Sequence, residues 1–406
     1  MLIVLLAGIV LLREPLFARA EDVFLRWLLD HSQGSEGARV PLTVVEIARD
    51  SFADPAAPKE TGGPEKVGSS AAISPLEFAL FLQSVLDFQP NVVAFENILK
   101  WRARDKDQEQ VFLDQAMRVP KLLLASELSE TDDPDAPWGE IRGFTQVTGK
   151  RSELATFRGI GRQPDEDLRL ISTQGFVNLP DELSSEIRVP LLFLYRGEVI
   201  PSFSLQAIML WLKTTPAEVK IELGSHILLP QNRRIPIAAD GTLLLDPNTA
   251  KRARRLSLNE LLLAAQMRDT GNPAAQTFAD IREQVVLART PENPLSPPDI
   301  FAATIATIQS NAYLRRVSRI FDCVVLLLIA AAVPLVRRMD RFDLVLCGIA
   351  VTAAYGLLAL GTVSRWNFWL PGVLPLGALW VSILATFFLR QKEDGPREVA
   401  PPPPIA

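Results

Sequence analysis

The sequence predicts an α/β domain joined to transmembrane helices. Three observations carry this. Short apolar strands alternate with helical segments between residues 41 and 126, and nearly everything from about residue 313 onward is apolar except short arginine clusters. The charge divides in the same place. Residues 1–312 hold 32 Lys+Arg against 41 Asp+Glu, a net of −9, and residues 313–406 hold 10 against 6, a net of +4, which gives the −5 of the whole 406-residue chain. At 48% hydrophobic the chain is neither disordered nor collagen-like.

Each element has a local reason. Residues 13–31 follow an apolar run with Leu16, Phe17, Val23, Phe24, Trp27 and Leu28 at near-helical spacing, which predicts a helix. PLTVVEIA (41–48) reads as a strand, and residues 53–70, rich in Pro, Gly, Ser and Lys, as a mobile loop. The helix over 74–88 is signed at its start by Ser74 at the N-cap, Pro75 at the first helical position and Glu77 completing a capping box. NVVAFENIL (91–99) and KLLLAS (121–126) are strands around a helix over 108–119. Such repeats imply a parallel sheet with right-handed crossovers. An acidic loop covers 129–137.

Beyond it, EIRVPLLFLYRGEVI, VKIELGSHILL, RRIPIA and GTLLLD read as hairpin strands that extend the core sheet antiparallel. Residues 202–213 and 257–266 are helices and 283–289 a buried strand. Residues 298–319 are expected as one long helix running directly into the membrane.

Three C-terminal runs, about 320–336, 342–363 and 366–389, are expected to span a bilayer, since about 20 apolar residues cross its ~30 Å core. The N-terminal MLIVLLAGIVLL has no basic flank or cleavage site, so it reads not as a secretory signal but as an anchor, either the tail of a fuller span whose true start lies upstream or a short uncleaved anchor that thins the bilayer. The expected organisation is an anchor over 1–19, a globular domain over 20–312, three spans over 313–390 and a short disordered cytoplasmic tail over 391–406. With the domain outside, Arg337, Arg338, Arg341, Arg390, Lys392 and Arg397 fall inside, against Arg315, Arg316, Arg319 and Arg365 outside. That six-to-four balance favours an extracytoplasmic domain.

Several chemistries are excluded. Cys323 and Cys347 both lie in the C-terminal apolar runs, so the globular region can form no disulfide and hold no cysteine nucleophile. His31 and His226 are far apart and lack metal-ligand spacing, so no metal is expected. RGIGRQP (158–164) and TGK (148–150) lack the context of a nucleotide-binding loop, and no cofactor is expected. An acidic domain makes nucleic acid an unexpected partner.

The residues singled out for ligand binding are carboxylates and arginines near predicted strand ends. Glu46 and Glu96 come from neighbouring predicted strands, and ligand sites of open α/β sheets lie beyond the carboxyl ends of the strands. Asp50 follows the first strand; Arg188 and Arg289 are candidates to face an anionic group.

The order VVEIARDSF (44–52), SPLEFALFLQSVLDFQPNVVAFENIL (74–99), GFVN (175–178), IRVPLLF (187–193), PSFSLQA (201–207), DGTLLLD (240–246), LSLNELL (256–262), QVVLART (284–290) and SPPDIFAATIATI (296–308) resembles the CHASE type 2 domain. That is a sensory extracellular domain of bacterial membrane receptors. The resemblance implies a multi-pass inner-membrane receptor, not an enzyme, with an extracytoplasmic small-molecule ligand. Only about 17 residues follow the last predicted span, so the expected reader of the signal is a separate cytoplasmic or membrane partner. Two other readings stand beside it: a membrane scaffold or assembly subunit that senses nothing, and a cell-envelope enzyme using Glu46, Asp50 and Glu96.

Overall fold

The computed structural model describes residues 15–32, 38–47, 74–100, 106–132, 141–180, 187–271, 278, 281–290, 299–336 and 339–393. The start of the expected anchor, the loop over 53–70, most of the acidic loop and residues 394–406 of the expected tail lie outside these residues, while residues 391–393, expected as disordered, are helical. The chain divides into two compact units, Glu36–Tyr313 and a second made of Met1–Ser35 with Leu314–Ala406.

In chain order the elements are α1 (Pro15–His31), β1 (Leu42–Glu46), α2 (Pro75–Leu86), β2 (Val92–Phe95), α3 (Lys106–Ala116), β3 (Leu122–Ser126), β4 (Leu128–Ser129), β5 (Gln146–Thr148), β6 (Thr156–Phe157), β7 (Gly159–Ile160), α4 (Glu166–Leu170) and β8 (Thr173–Phe176). There follow β9 (Arg188–Pro190), β10 (Leu192–Tyr195), β11 (Glu198–Pro201), α5 (Phe203–Trp211), β12 (Lys220–Glu222), β13 (His226–Leu229), β14 (Arg233–Pro236), β15 (Thr242–Leu244) and β16 (Arg254–Ser257). The last are α6 (Leu258–Asp269), β17 (Val285–Arg289), α7 (Ile300–Ser310), β18 (Arg315–Arg316), α8 (Arg319–Val336), α9 (Arg341–Trp366), β19 (Phe368–Trp369) and α10 (Val373–Glu393).

The first unit is built on a six-stranded sheet in the order β16-β1-β17-β2-β3-β8. Every pair in it is parallel. A parallel sheet covered on both faces needs apolar residues at successive positions. β2, β3 and β17 meet this: all their residues are buried. Alternation sends Val44, Leu287, Ala94 and Leu123 into one core. It sends Val45, Val286, Val93 and Leu124 into the other.

The crossovers β1→β2, β2→β3, β3→β8 and β16→β17 all travel the same way across the sheet. One handedness then puts all their helices on one face. α2, α3, α4 and α6 accordingly share one core through Phe78, Phe112, Leu168 and Leu261. The other face is covered by α5 and α7, whose Phe203 and Phe301 rings sit 5.2 Å apart, and by the antiparallel ribbons.

Two expectations about the sheet are corrected. β17 lies between β1 and β2, which are therefore not neighbours. The antiparallel strands do not extend the core sheet. They form separate sheets, β11-β10-β6, β14-β13-β12-β5 and β15-β9. The physical reason is local: β10 and β11 are joined by Arg196 and Gly197 with φ of 48° and 86°. Two residues with positive φ make the tight turn matched to strand twist, so β10 takes β11 and, on its other side, β6 as partners rather than an edge of the core sheet.

The start of α2 is as expected except in detail. Ser74 Oγ accepts from the Leu76 amide, one residue earlier than a full capping box requires, and the Ser74 amide donates to the Glu77 carboxylate. A complete box stands at α6, between Ser257 and Glu260.

The expected continuous helix over 298–319 breaks. α7 ends at Ser310 because Asn311 takes the left-handed conformation, φ 53°, that closes a helix. Arg233 then covers the exposed carbonyls, with Nη1 donating to Ile308 O at 2.6 Å and Gln309 O at 3.2 Å.

In the second unit, among the described residues, one helix is long and apolar enough to cross a membrane, Phe342–Trp366; Ile320–Ala332 and Val373–Phe387 are shorter apolar helices. Glu21 of α1 is buried and caps α10, its carboxylate accepting from the amides of Gly372, Val373 and Leu374 at 2.9–3.2 Å. A Cβ at Gly372 would collide with the Phe24 ring, so only glycine permits this approach. β18 and β19 pair in parallel, and Arg316 Nη2 donates to Asp322 Oδ2 at 3.0 Å.

Candidate functional site at the carboxyl edge of the sheet

β1, β17 and β2 are consecutive in the sheet, and each ends on a charged residue or is followed by one. Register pairs Glu46 with Arg289 and Ala288 with Phe95, which sets Glu96 beside Arg289. Val44, Leu287 and Ala94 face the core of α5 and α7, and a period of two puts Glu46, Arg289 and Glu96 on that same face. Two further residues complete the group: Arg255 on the edge strand β16, and Asp299 at the N-cap of α7.

Together they form a chain of alternating charge. Arg289 Nε lies 4.0 Å from Glu96 Oε1, and Arg289 Nη1 pairs with Asp299 Oδ1. Arg255 Nη2 donates to Asp299 Oδ2 at 2.5 Å, and its Nη1 lies 3.6 Å from Glu46 Oε1. Side-chain exposure rises from 4% for Glu96 through 8% for Arg289 and 24% for Asp299 to about two-fifths at the far end, 41% for Arg255 and 39% for Glu46. The array therefore opens to solvent at its Arg255–Glu46 end and is closed at its Glu96 end.

Three carboxylates and two guanidinium groups leave a formal charge of −1. Burying such charges is tolerated only when each is paired. Among the described residues, the buried Arg289 Nε has no hydrogen-bond partner. Beside it, Asn97 Nδ2 donates to Thr290 Oγ1 at 2.7 Å and the Thr290 amide to Asn97 Oδ1 at 3.2 Å, which locks β2 to β17. Among the described residues no three metal-ligating side chains stand together.

Of the residues expected from sequence, the structure brings together Glu46, Glu96 and Arg289. Arg188 stands on β9 in a different sheet, in register with Leu244. Asp50 lies outside the described residues. Arg255, Asp299, Asn97 and Thr290 were not expected. Arg255 lies in a run of basic residues, KRARR, with no strand pattern around it, and Asp299 falls at the start of the helix expected over 298–319.

The family model of the CHASE2 domain matches residues 1–290. Comparison with curated proteins and with solved structures gave no match. The matched segment carries all six strands of the parallel sheet and four of the five residues of the charged array. A match over more than half of the chain, on a parallel sheet with flanking helices, places the protein in the CHASE2 domain family of extracytoplasmic sensory domains.

Proposed function

We propose that the protein is a membrane-anchored sensory receptor, not an enzyme. Its extracytoplasmic domain binds a small molecule at the carboxyl edge of the parallel sheet, and its spans carry the signal to a separate cytoplasmic or membrane partner. It sits in the inner membrane as a multi-pass protein. The observation that carries this reading is the charged array Glu46–Arg255–Asp299–Arg289–Glu96. It occupies the edge where open α/β sheets bind ligands, and it opens to solvent at one end.

Transmission follows from the chain itself. Asp299 belongs to the array and begins α7, and every residue of α7 from Ile300 to Gln309 is buried. Residues 311–318 then lead to α8, the first of the apolar C-terminal helices. A change at Asp299 reaches the far end of α7 because a buried helix moves as a unit.

The test uses the full chain in lipid nanodiscs, melted in the presence of fractionated periplasmic small molecules. A ligand that binds the folded state raises its apparent stability. The expected result is a fraction that raises Tm of the wild type and not that of the Glu46→Gln or Arg255→Gln variants. If no fraction raises Tm, or if both variants respond as the wild type does, the array is structural and the scaffold reading replaces this one.

A further inference from the structure

Asp299 is placed unusually for an aspartate at a helix start. An N-cap aspartate in an extended conformation turns its carboxylate onto the amides of the first turn. Asp299 instead has φ 67°, in the left-handed region, and makes no side-chain cap bond to α7. Its carboxylate is committed elsewhere: one oxygen to Arg289, the other to Arg255. A non-glycine residue held in this conformation at a helix it does not cap is a strained arrangement, maintained by its contacts.

Two arginines that grip the two oxygens of one carboxylate form a receptor for that group. Each guanidinium gives one nitrogen to one carboxylate oxygen, a charge-assisted hydrogen bond of the stronger kind. The fork is anchored at depth by Arg289, which lies against Glu96, and it is reachable from solvent through Arg255. Arg289 Nε keeps a donor that Asp299 does not use.

We infer that Arg255 and Arg289 are a binding fork for the carboxylate of an acidic small molecule, and that Asp299 occupies the fork as an internal stand-in while no ligand is bound. This deepens the sensory reading above and rests on it. A ligand carboxylate takes over both guanidinium groups. Asp299 is then released to the extended conformation, where it caps its own helix. Occupancy of the fork and the conformation at the start of α7 become one two-state element, which is what a ligand needs in order to shift a population. The tethered Asp299 acts at a high effective concentration, so weak carboxylates do not displace it and a ligand must make further contacts.

Chemical rescue tests this on the full chain in nanodiscs. Glycine takes positive φ at no cost, so Asp299→Gly removes the carboxylate and keeps the backbone. The variant is expected to melt below the wild type. Sodium acetate is expected to restore its Tm by a few degrees, saturably, where sodium chloride at the same ionic strength does not. The wild type should not respond to acetate, and the Asp299→Gly/Arg289→Gln double variant should not be rescued. Should Asp299→Gly fail to fold, Asp299→Asn is read in the same way, because asparagine tolerates the left-handed region.

Acetate that does no more than chloride overturns the inference, as does rescue that survives loss of Arg289. Hydrogen exchange on the wild type gives a second reading. Amides of Phe301 and Ala302 are expected to exchange more slowly at saturating succinate, whose second carboxylate supplies the further contact that acetate lacks, than in matched chloride, and unchanged exchange there also overturns it. The two failures are separable. If rescue fails while a periplasmic fraction still stabilises the wild type, the carboxylate class is wrong and the sensor stands. If rescue succeeds while no fraction stabilises the wild type, the fork stands and the sensory reading falls.

Discussion

Arg289 is the residue on which the array depends. Its guanidinium is nearly inaccessible and holds two carboxylates from different elements. Removing one partner of a buried charge pair typically costs about 3–5 kcal/mol, because the other is left desolvated and alone. Arg289→Ala is expected to lose stability of that order, measured by urea unfolding of the full chain. Glu46→Gln, at the solvent end, is expected to cost at most about 1 kcal/mol. Equal losses at both positions would contradict the gradient of burial described here.

Asp246 offers a pH test away from the site. It is buried, and its Oδ1 accepts from the amide and the side chain of Asn248. Burial holds its carboxyl above the ordinary value of 3.8. A carboxylate whose folded value is raised binds its proton more tightly folded than unfolded, so stability falls as pH rises through that window. Asparagine keeps the accepting oxygen without the charge. Asp246→Asn should therefore match or exceed the wild type in Tm at neutral pH, and the wild type should gain on it as pH falls toward 3.8. A gap that widens on acidification would contradict the assignment.

Single residues were legible in sequence where strand ends could be located. Glu46, Glu96 and Arg289 were found because each lies at or toward the carboxyl end of a predicted strand. Asp299 and Arg255 were not, because their meeting joins the edge strand to a helix that begins 44 residues later, and no local pattern encodes that contact.

At the scale of elements, β1, β2, β3 and β17 and the helices α2, α3 and α6 were readable because parallel strands buried on both faces are short continuous apolar runs with capped helices between them, whereas β8 (TQGF) and the five-residue α4 before it are too short and too polar to stand out. β16 was missed: its sequence, RRLS, has one buried apolar residue, Leu256. The break after α7 was missed as well. Apolar periodicity continues across residue 311, and the stop comes from Asn311 in the left-handed conformation together with Arg233, which lies 75 residues away from the carbonyl it covers. Asn311→Gly is expected to leave stability unchanged, and Asn311→Val to cost about 1–2 kcal/mol, since a β-branched residue pays the full steric penalty there. Thermal unfolding of the two variants checks this; equal Tm values would show that the helix end is not set by the backbone conformation.

The α6 cap gives a comparable figure. Ser257 Oγ accepts from the Glu260 amide at 3.2 Å while the Ser257 amide donates to the Glu260 carboxylate at 2.7 Å. Ser257→Ala is expected to cost about 1 kcal/mol by the same measurement.

At the scale of the whole molecule, the sheet order was the least legible feature. β17 enters between β1 and β2 after more than 230 residues, and only tertiary contacts fix it there, among them Thr43 Oγ1 donating to Gln284 Oε1 at 2.8 Å. That insertion places Arg289 between Glu46 and Glu96 and so creates the array. The change from a charged region to apolar runs near residue 313 coincides with the unit boundary at Tyr313–Leu314, whereas composition places residues 20–35 with the globular region and the fold places them with the C-terminal helices.

The central claim is that the domain carrying the array faces outward across a membrane. Its most direct test exploits a globular region without cysteine. In a chain with Cys323 and Cys347 replaced by alanine, a cysteine is placed at the exposed Lys220 or at Lys392, and intact spheroplasts are treated with a membrane-impermeant maleimide. The account predicts labelling of Lys220→Cys in intact cells and of Lys392→Cys only after permeabilisation. Labelling of Lys220→Cys only after permeabilisation would contradict it: the array would then face the cytoplasm, and its ligand would have to be sought there.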